Sequence, residues 1–335
     1  MEWEKSGARP INDTDFNRVY EKIEFFSETQ YHEYVPCLGP ENFEFMVRLG
    51  RWIGNVSNVG DKQILCEFVP RIPFFGRAEF TELYQAAFRG PITRWVIDEL
   101  NLFLNDPGLE DQIANELHHH TWYCPITDSM QISDFHHVNQ IGGIDYRPDF
   151  RSLAVLGERQ GQRKRVVDFM QNHKNATGRS RPLRRIVLLE DFVGRGTQIE
   201  DALKFAAELS PDIPILLAPL IICPDGGVYA KQLANNYANV SYGPVMELTD
   251  DLFIRPSSKV SPASLEAQIR DLAVSTYSQV VGDEAARPRP YGPFGFRETG
   301  ATIVMYSNAP ANTLPLIQHE SNTWKPLFPR SARRR

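Results

Sequence analysis

The stretch Ile186-Val187-Leu188-Leu189-Glu190-Asp191-Phe192-Val193-Gly194-Arg195-Gly196-Thr197 decides how this chain folds. Its first four residues are uniformly apolar and read as a buried strand. The strand runs directly into two acids and then into a short loop with two glycines. That loop opens the amphipathic run 198–209, on which Ile199, Ala202, Leu203, Ala206 and Leu209 share one helical face, as a helix packed on a sheet requires.

This order has a physical purpose. Free backbone N–H groups in the loop, together with the positive end of the helix dipole, make an anion site suited to a phosphate monoester. Gly194 and Gly196 allow a ligand to approach the backbone where a side chain would block it. Glu190 and Asp191 leave the strand at its carboxyl end, where open α/β sheets bind ligands, and paired carboxylates there accept hydrogen bonds from vicinal ribose hydroxyls. The combination fits a ribose 5-phosphate better than a bare phosphate. A P-loop needs a Gly-Lys-Ser or Gly-Lys-Thr step, and this loop has no lysine. A dinucleotide fingerprint needs a third glycine where Ile199 stands. An acidic turn whose glycine merely starts a helix is the bland alternative.

Outward from this stretch the pattern repeats. Residues 152–156 read as a strand and 163–172 as a helix; 213–223 read as a strand ended by Pro224-Asp225-Gly226-Gly227, followed by a helix at 228–236 and a strand at 240–245. Strand and helix alternating in units of about 30 residues predict an α/β fold with a parallel sheet and right-handed crossovers. The N-terminal part reads as helical: Phe16, Val19, Tyr20, Ile23 and Phe26 recur at helical spacing, as do Phe43, Met46, Val47, Leu49 and Ile53. Residues 81–104 continue that pattern after a break around Pro70, Pro73 and Gly76, with an interruption at Gly90-Pro91. The expected division is a helical region over 1–120, the α/β core over 121–290, and an aromatic, proline-rich strap with a basic tail over 291–335. Trp324, Pro326, Leu327 and Phe328 suit a strap lying over the sheet, from which Asn308, Asn312 and His319 would reach the site.

A composition of 42% hydrophobic and 23% charged residues allows at least one large core, so two domains, or one domain with a helical extension, are expected. No apolar run reaches membrane-spanning length and the N-terminal residues lack the order of a secretory signal, which predicts a soluble, cytoplasmic protein without membrane contact. Cys37, Cys66, Cys124 and Cys223 form no C-x-x-C pair and are expected as buried thiols. The net charge is −6, yet residues 147–185 carry eleven Lys or Arg against only Asp149, Glu158 and Asp168. A basic segment in an acidic chain points to an anion, either a phosphorylated small molecule or a nucleic-acid backbone, or else to a solvated surface.

Five of the eight histidines, His118, His119, His120, His136 and His137, crowd into one region. Consecutive histidines on a helix cannot converge on one ion, and no H-E-x-x-H pattern is present, so a metal centre is not expected there. Ser129 and the His136-His137 pair suggest a nucleophile with its base, but no G-x-S-x-G elbow surrounds Ser129, and packing or hydrogen bonding is the expected role.

The stretch 186–197 also looks like the phosphoribosyl-diphosphate motif of type I phosphoribosyltransferases. Pro125-Ile126-Thr127-Asp128-Ser129-Met130 with Phe135-His136-His137-Val138-Asn139, then Asn312-Thr313-Leu314-Pro315-Leu316, and then the terminal Trp324-Lys325-Pro326-Leu327-Phe328-Pro329-Arg330 resemble the phosphoribosyltransferase-like family of bacterial conflict and defence systems. The resemblance implies a phosphoribosyltransferase-like core in which Glu190 and Asp191 are the catalytic pair holding the ribose hydroxyls. Val193, Gly194, Arg195, Gly196, Thr197 and Gln198 would cradle the 5-phosphate. Glu158, Arg159, Gln160 and Gly161 would take the place of the pyrophosphate loop, although the usual paired glycines are missing. A Mg2+ ion would bridge substrate oxygens and Asp191. Two positions depart from the family pattern: Gly194 stands where purine-salvage members carry an acid that contacts the base, and Arg195 stands where a small hydroxyl residue would donate to the phosphate.

The implied activity is cleavage or exchange of an N-glycosidic bond at a 5-phosphorylated ribose, in phosphoribosyl diphosphate or a nucleotide. The alternative is a catalytically silent nucleotide-binding domain that signals to a partner protein from a defence operon. Direct nucleic-acid binding through the basic segment is a third class, disfavoured because Phe150 and Phe169 are the only aromatic residues there.

Overall fold

The computed structural model describes residues 13–36 (backbone only for 13–16), 44–142, 161–175, 177–257, 260–283 and 291–331. The expected strand at 152–156, the segment Glu158-Arg159-Gln160 and Cys37 lie outside the described residues. The described strands are β1 (Phe74–Phe75), β2 (Thr121–Pro125), β3 (Arg185–Val193), β4 (Ile215–Ile222), β5 (Val240–Tyr242), β6 (Met246–Glu247), β7 (Tyr291–Gly292), β8 (Gly295–Phe296) and β9 (Val304–Met305). The chain gathers into two compact units, one formed by residues up to Ala78 with those from Asp250 onward, the other by Glu79–Thr249. Composition had suggested boundaries near 120 and 290.

The Glu79–Thr249 unit holds a parallel sheet in the order β2-β3-β4-β5, with β6 pairing the far end of β4. This is the α/β architecture expected. Every residue of β3 and β4 is buried, which is why both read as unbroken apolar runs rather than alternating ones. Helices Gln162–Gln171, Glu200–Ala207 and Pro224–Ala234 contribute Val166, Met170, Leu203, Ala206 and Ala230 to a core shared with Trp122, Ile186, Leu188 and Leu217.

Two features differ from expectation. β3 does not end at Leu189 but continues to Val193, so both acids lie within the strand. A further strand, β2, pairs with β3 from Thr121↔Arg185 to Pro125↔Leu189. It leaves a π-helical turn, Glu116–His120, whose carbonyls at Glu116 and Leu117 accept from the Thr121 and Tyr123 hydroxyls, each at 2.9 Å. The interruption at Gly90-Pro91 is likewise a π-turn, Phe88–Ile92, between helices Arg77–Ala87 and Thr93–Glu99. Proline lacks the N–H that a helix interior uses, and in the wider turn the Phe88 carbonyl accepts both the Thr93 N–H and, at 2.6 Å, the Thr93 hydroxyl.

In the other unit β1 pairs parallel with β9, and helices Asp13–Thr29, Phe45–Gly54, Val59–Phe68 and Leu265–Val281 supply most of the helical content. The terminal stretch expected as a strap belongs to the core of this unit. Trp324, Leu327 and Phe328 are fully buried, and the Phe328 ring packs among Tyr31, Tyr34, Phe45 and Phe74. The Trp52 and Trp324 indoles both donate to the Leu316 carbonyl, at 2.7 and 3.0 Å. Asn308 and Asn312 donate within the same unit, to Ser331 O and Thr299 Oγ1, and His319 ends the helix Pro315–Gln318 there. Among the described residues no helix is long and apolar enough to cross a membrane.

Candidate functional site

The last residues of β3 carry the acids, and neighbouring residues of a strand point to opposite faces. One loop nevertheless meets both. Leaving β2, it is registered on β3 by the Ile126 N–H donating to Leu189 O at 2.8 Å. Thr127 then reaches Glu190 twice, through its N–H to Oε2 at 2.8 Å and its hydroxyl to Oε1 at 2.6 Å. The Ser129 hydroxyl donates to Asp191 Oδ1 at 3.0 Å, and the Phe192 N–H donates to the same oxygen at 2.8 Å. Gln198 folds back from the glycine loop, its amide donating to Glu190 Oε1 at 3.0 Å and to Phe192 O at 2.7 Å.

Glu190 and Asp191 are 1% and 4% exposed. Burial pushes the Glu190 carboxyl well above the usual range and the neighbouring charge of Asp191 adds to this, against the pull of the Thr127 and Gln198 donors. Burial also pushes Asp191 up, to about 6, opposed by the Ser129 hydroxyl and the Phe192 N–H.

Beyond Val193 the loop is held from the side by helix Pro224–Ala234. Gly196 has φ +85°, and a β-carbon there would lie 2.6 Å from the Tyr229 ring; the Tyr229 hydroxyl donates to Glu200 at 2.7 Å. Arg195 pairs with Asp225 at 3.3 Å, both side chains about one-third exposed. Thr197 is exposed. Among the described residues the N–H groups of Gly196, Thr197 and Gln198 make no bond to a backbone carbonyl, the first such bond being Ile199 N–H to Gly196 O at 3.1 Å. Three successive donors at the start of helix Glu200–Ala207 can therefore receive an anion.

The structure thus brings together Glu190, Asp191, Gln198 and the loop between them. Gly161, of the expected pyrophosphate loop, caps helix Gln162–Gln171 at φ +90°. Thr127, Asp225 and Tyr229 were not among the expected site residues, and Ser129 was expected only in a packing or hydrogen-bonding role. The motif 125–130 was legible as a unit, but its partners on β3 lie 62 and 63 residues away, and no local pattern carries that pairing.

The histidines do not converge. His120 Nδ1 lies 2.7 Å from Pro182 O and burial lowers its pKa, the His118 ring meets Phe88, and His136 packs on Tyr123 and Phe135. Among the described residues no group of three or more His, Cys, Asp or Glu can hold a metal ion. The acid pair is buried and shares five hydrogen bonds, two with Thr127 and one each with Gln198, Ser129 and Phe192, none of which ends on Asp191 Oδ2. In the basic segment the described Arg163, Lys164, Arg165, Lys174, Arg179 and Arg184 are exposed, and Arg185 is buried. Arg184 and Arg185 both pair with Glu116 at 2.8 Å, Arg163 pairs with Glu208, and Arg181 donates to Asn115 at 3.3 Å.

Comparisons with curated proteins and with solved structures find no match. A family model described as PRTase-CE matches residues 49–330. That span takes in the whole parallel sheet, the loops after β2 and β3, and the terminal aromatic stretch, and the chain belongs to this phosphoribosyltransferase-like family, PRTase-CE.

Proposed function

We propose that the phosphoribosyltransferase-like domain binds a 5-phosphorylated ribose, as phosphoribosyl diphosphate or a nucleotide. The phosphate would sit on the N–H groups of Gly196, Thr197 and Gln198, and the ribose hydroxyls would face Glu190 and Asp191. The observation that carries this reading is the run of three available backbone donors directly after a buried acid pair at the carboxyl end of a parallel strand. In a transfer or cleavage reaction the glycosidic carbon becomes oxocarbenium-like, and Asp191, whose charge the Ser129 hydroxyl and the Phe192 N–H stabilise, would supply the opposing charge.

A second reading, ligand binding without turnover, is favoured by the internal bonding of the acids. A ribose diol that took Glu190 Oε1 or Asp191 Oδ1 would displace Gln198 or Ser129, and such a displacement can serve as a signal to a partner protein. The bacterial defence setting of that partner rests on the family resemblance alone.

Thermal shift with phosphoribosyl diphosphate and nucleoside monophosphates tests binding, and release of labelled pyrophosphate separates the two readings. Stabilisation with pyrophosphate release supports catalysis, and stabilisation alone supports the silent domain. No stabilisation by any phosphoribosyl ligand rejects both.

A further inference from the structure

Four side-chain oxygens form one continuous chain beside the end of β3. Glu190 Oε1 lies 2.6 Å from Thr127 Oγ1, Thr127 Oγ1 lies 2.7 Å from Ser129 Oγ, and Ser129 Oγ lies 3.0 Å from Asp191 Oδ1. Each link is of hydrogen-bond length and needs one proton. The two hydroxyls supply two protons for three links. With both acids ionised, one link stays bare. Either the hydroxyls turn outward to the carboxylates and their own oxygens meet at 2.7 Å, or both point the same way and a carboxylate oxygen meets a hydroxyl oxygen with no proton between them.

We propose that Glu190 and Asp191 hold a single proton between them through the hydroxyls of Thr127 and Ser129, which act as positioning residues for it, so that the pair carries one negative charge. The proton resides on Glu190. Its O–H donates to Thr127, the Thr127 hydroxyl donates to Ser129, and the Ser129 hydroxyl donates to Asp191, whose charge the Phe192 N–H also stabilises. Burial raises both acids, and the neighbouring charge of Asp191 adds to the rise of Glu190. A shift of three protons by one link each, from Glu190 to Thr127, from Thr127 to Ser129 and from Ser129 to Asp191, moves the charge to Glu190 with only O–H bonds made and broken. Ser129 is exposed, so the chain offers a proton at the open side of a site where Gly194 leaves the loop without an acid of its own.

The other ionisable side chains on these loops are Asp128, which is exposed between the two hydroxyl residues, and Arg195, which is paired with Asp225. On the flanking strands Pro219 of β4 lies level with Glu190, while Pro125 of β2 and Ile221 of β4 lie level with Leu189 and Phe192 on either side of the pair; none of the three titrates. Helix Ile132–Val138, which follows the Ser129 loop and packs on β2, carries Asp134, His136 and His137, with His136 buried against Tyr123.

The test is an infrared titration of carboxyl groups in the whole chain without ligand, so its outcome is independent of whether the loop takes a phosphate. A protonated carboxyl band is expected at pH 7 and should vanish in Glu190→Gln. Thr127→Val removes the acceptor of the Glu190 proton and should lower the apparent pKa of that band by about one unit. Ser129→Ala, at an exposed position and therefore usable even if Thr127→Val fails to fold, frees the Thr127 hydroxyl to donate to an ionised Glu190 and should shift the band the same way. Thr127→Ser should restore the wild-type titration. The proposal is overturned if the wild type shows no such band, if the band survives in Glu190→Gln, or if Thr127→Val and Ser129→Ala raise the pKa or leave it unmoved. A rise would mean that Thr127 donates to a carboxylate.

Discussion

The Gly194 carbonyl oxygen occupies the space that a β-carbon on Gly226 would need. The glycine loop after β3 and the first turn of the helix after β4 are thus in backbone contact, and the Cys223 N–H to Val193 O bond at 2.9 Å ties their roots together. Backbone cannot yield as the end of a side chain can. Gly226→Ala is expected to cost about 1–3 kcal/mol and to abolish any phosphate response of the loop. Gly227→Ala, whose nearest neighbour would be the Tyr242 hydroxyl at 3.3 Å, should be close to neutral. Urea midpoints compare the two, and equal costs would contradict the described packing.

Arg195 faces a choice between Asp225 and a bound anion. An ion pair this exposed contributes roughly 0–1 kcal/mol, so Asp225→Asn should leave the unfolding midpoint nearly unchanged. It should also tighten nucleotide binding several-fold and steepen its salt dependence, because Arg195 is released toward the loop. Arg195→Gln should do the reverse. Calorimetric titration at two salt concentrations measures both, and weaker binding in Asp225→Asn would assign Arg195 a structural role only.

Glu116 lies buried between Arg184 and Arg185, whereas Glu208 pairs with Arg163 at a surface where both side chains are substantially exposed. Removing one partner of a buried pair leaves charge without compensation, at about 3–5 kcal/mol. Glu116→Gln should therefore lower the urea midpoint markedly and Glu208→Gln hardly at all. Similar effects would show that solvent screens the Glu116 cluster.

Asp191 titrates at about 6 in the folded chain against 3.8 in its ordinary state. Between these values the folded protein binds more protons than the unfolded one, so stability falls as pH rises through that window. The contribution is fully present below about pH 4 and lost above about pH 6, the reverse of a salt-bridged carboxylate. Asp191→Asn should flatten the wild-type decline between pH 4 and 7, by an amount on the order of a few kcal/mol. A variant that declines as steeply as wild type would place the proton uptake elsewhere.

Much of the Glu79–Thr249 unit was legible because its signals are local. Residues 186–189 are apolar without interruption, and the helix after the loop shows its inward face at helical spacing. β2 was not legible: Thr121-Trp122-Tyr123-Cys124-Pro125 follows three histidines and shows no alternation, being a strand only through its pairing with β3. The end of β3 was misjudged for a related reason. Glu190 and Asp191 are unlikely core residues by type, and only the donors brought by Thr127, Ser129 and Gln198 make their burial tolerable.

By itself, then, the sequence determined the alternation of strand and helix around β3 and β4, the parallel α/β class and the acid-and-glycine motif from Glu190 to Gln198, since each follows from side-chain periodicity and backbone freedom within a few residues. Tertiary structure alone decided which distant residues complete that loop. It brought Thr127 and Ser129 onto the acids and Asp225 and Tyr229 onto the glycines. It also joined β1 to β9 and buried Phe328 among N-terminal aromatics. A buried polar group accepts whatever donor the packing presents, and an aromatic residue fills whatever core lies open to it. Neither requirement names a partner, so neither can be read from the chain before it folds.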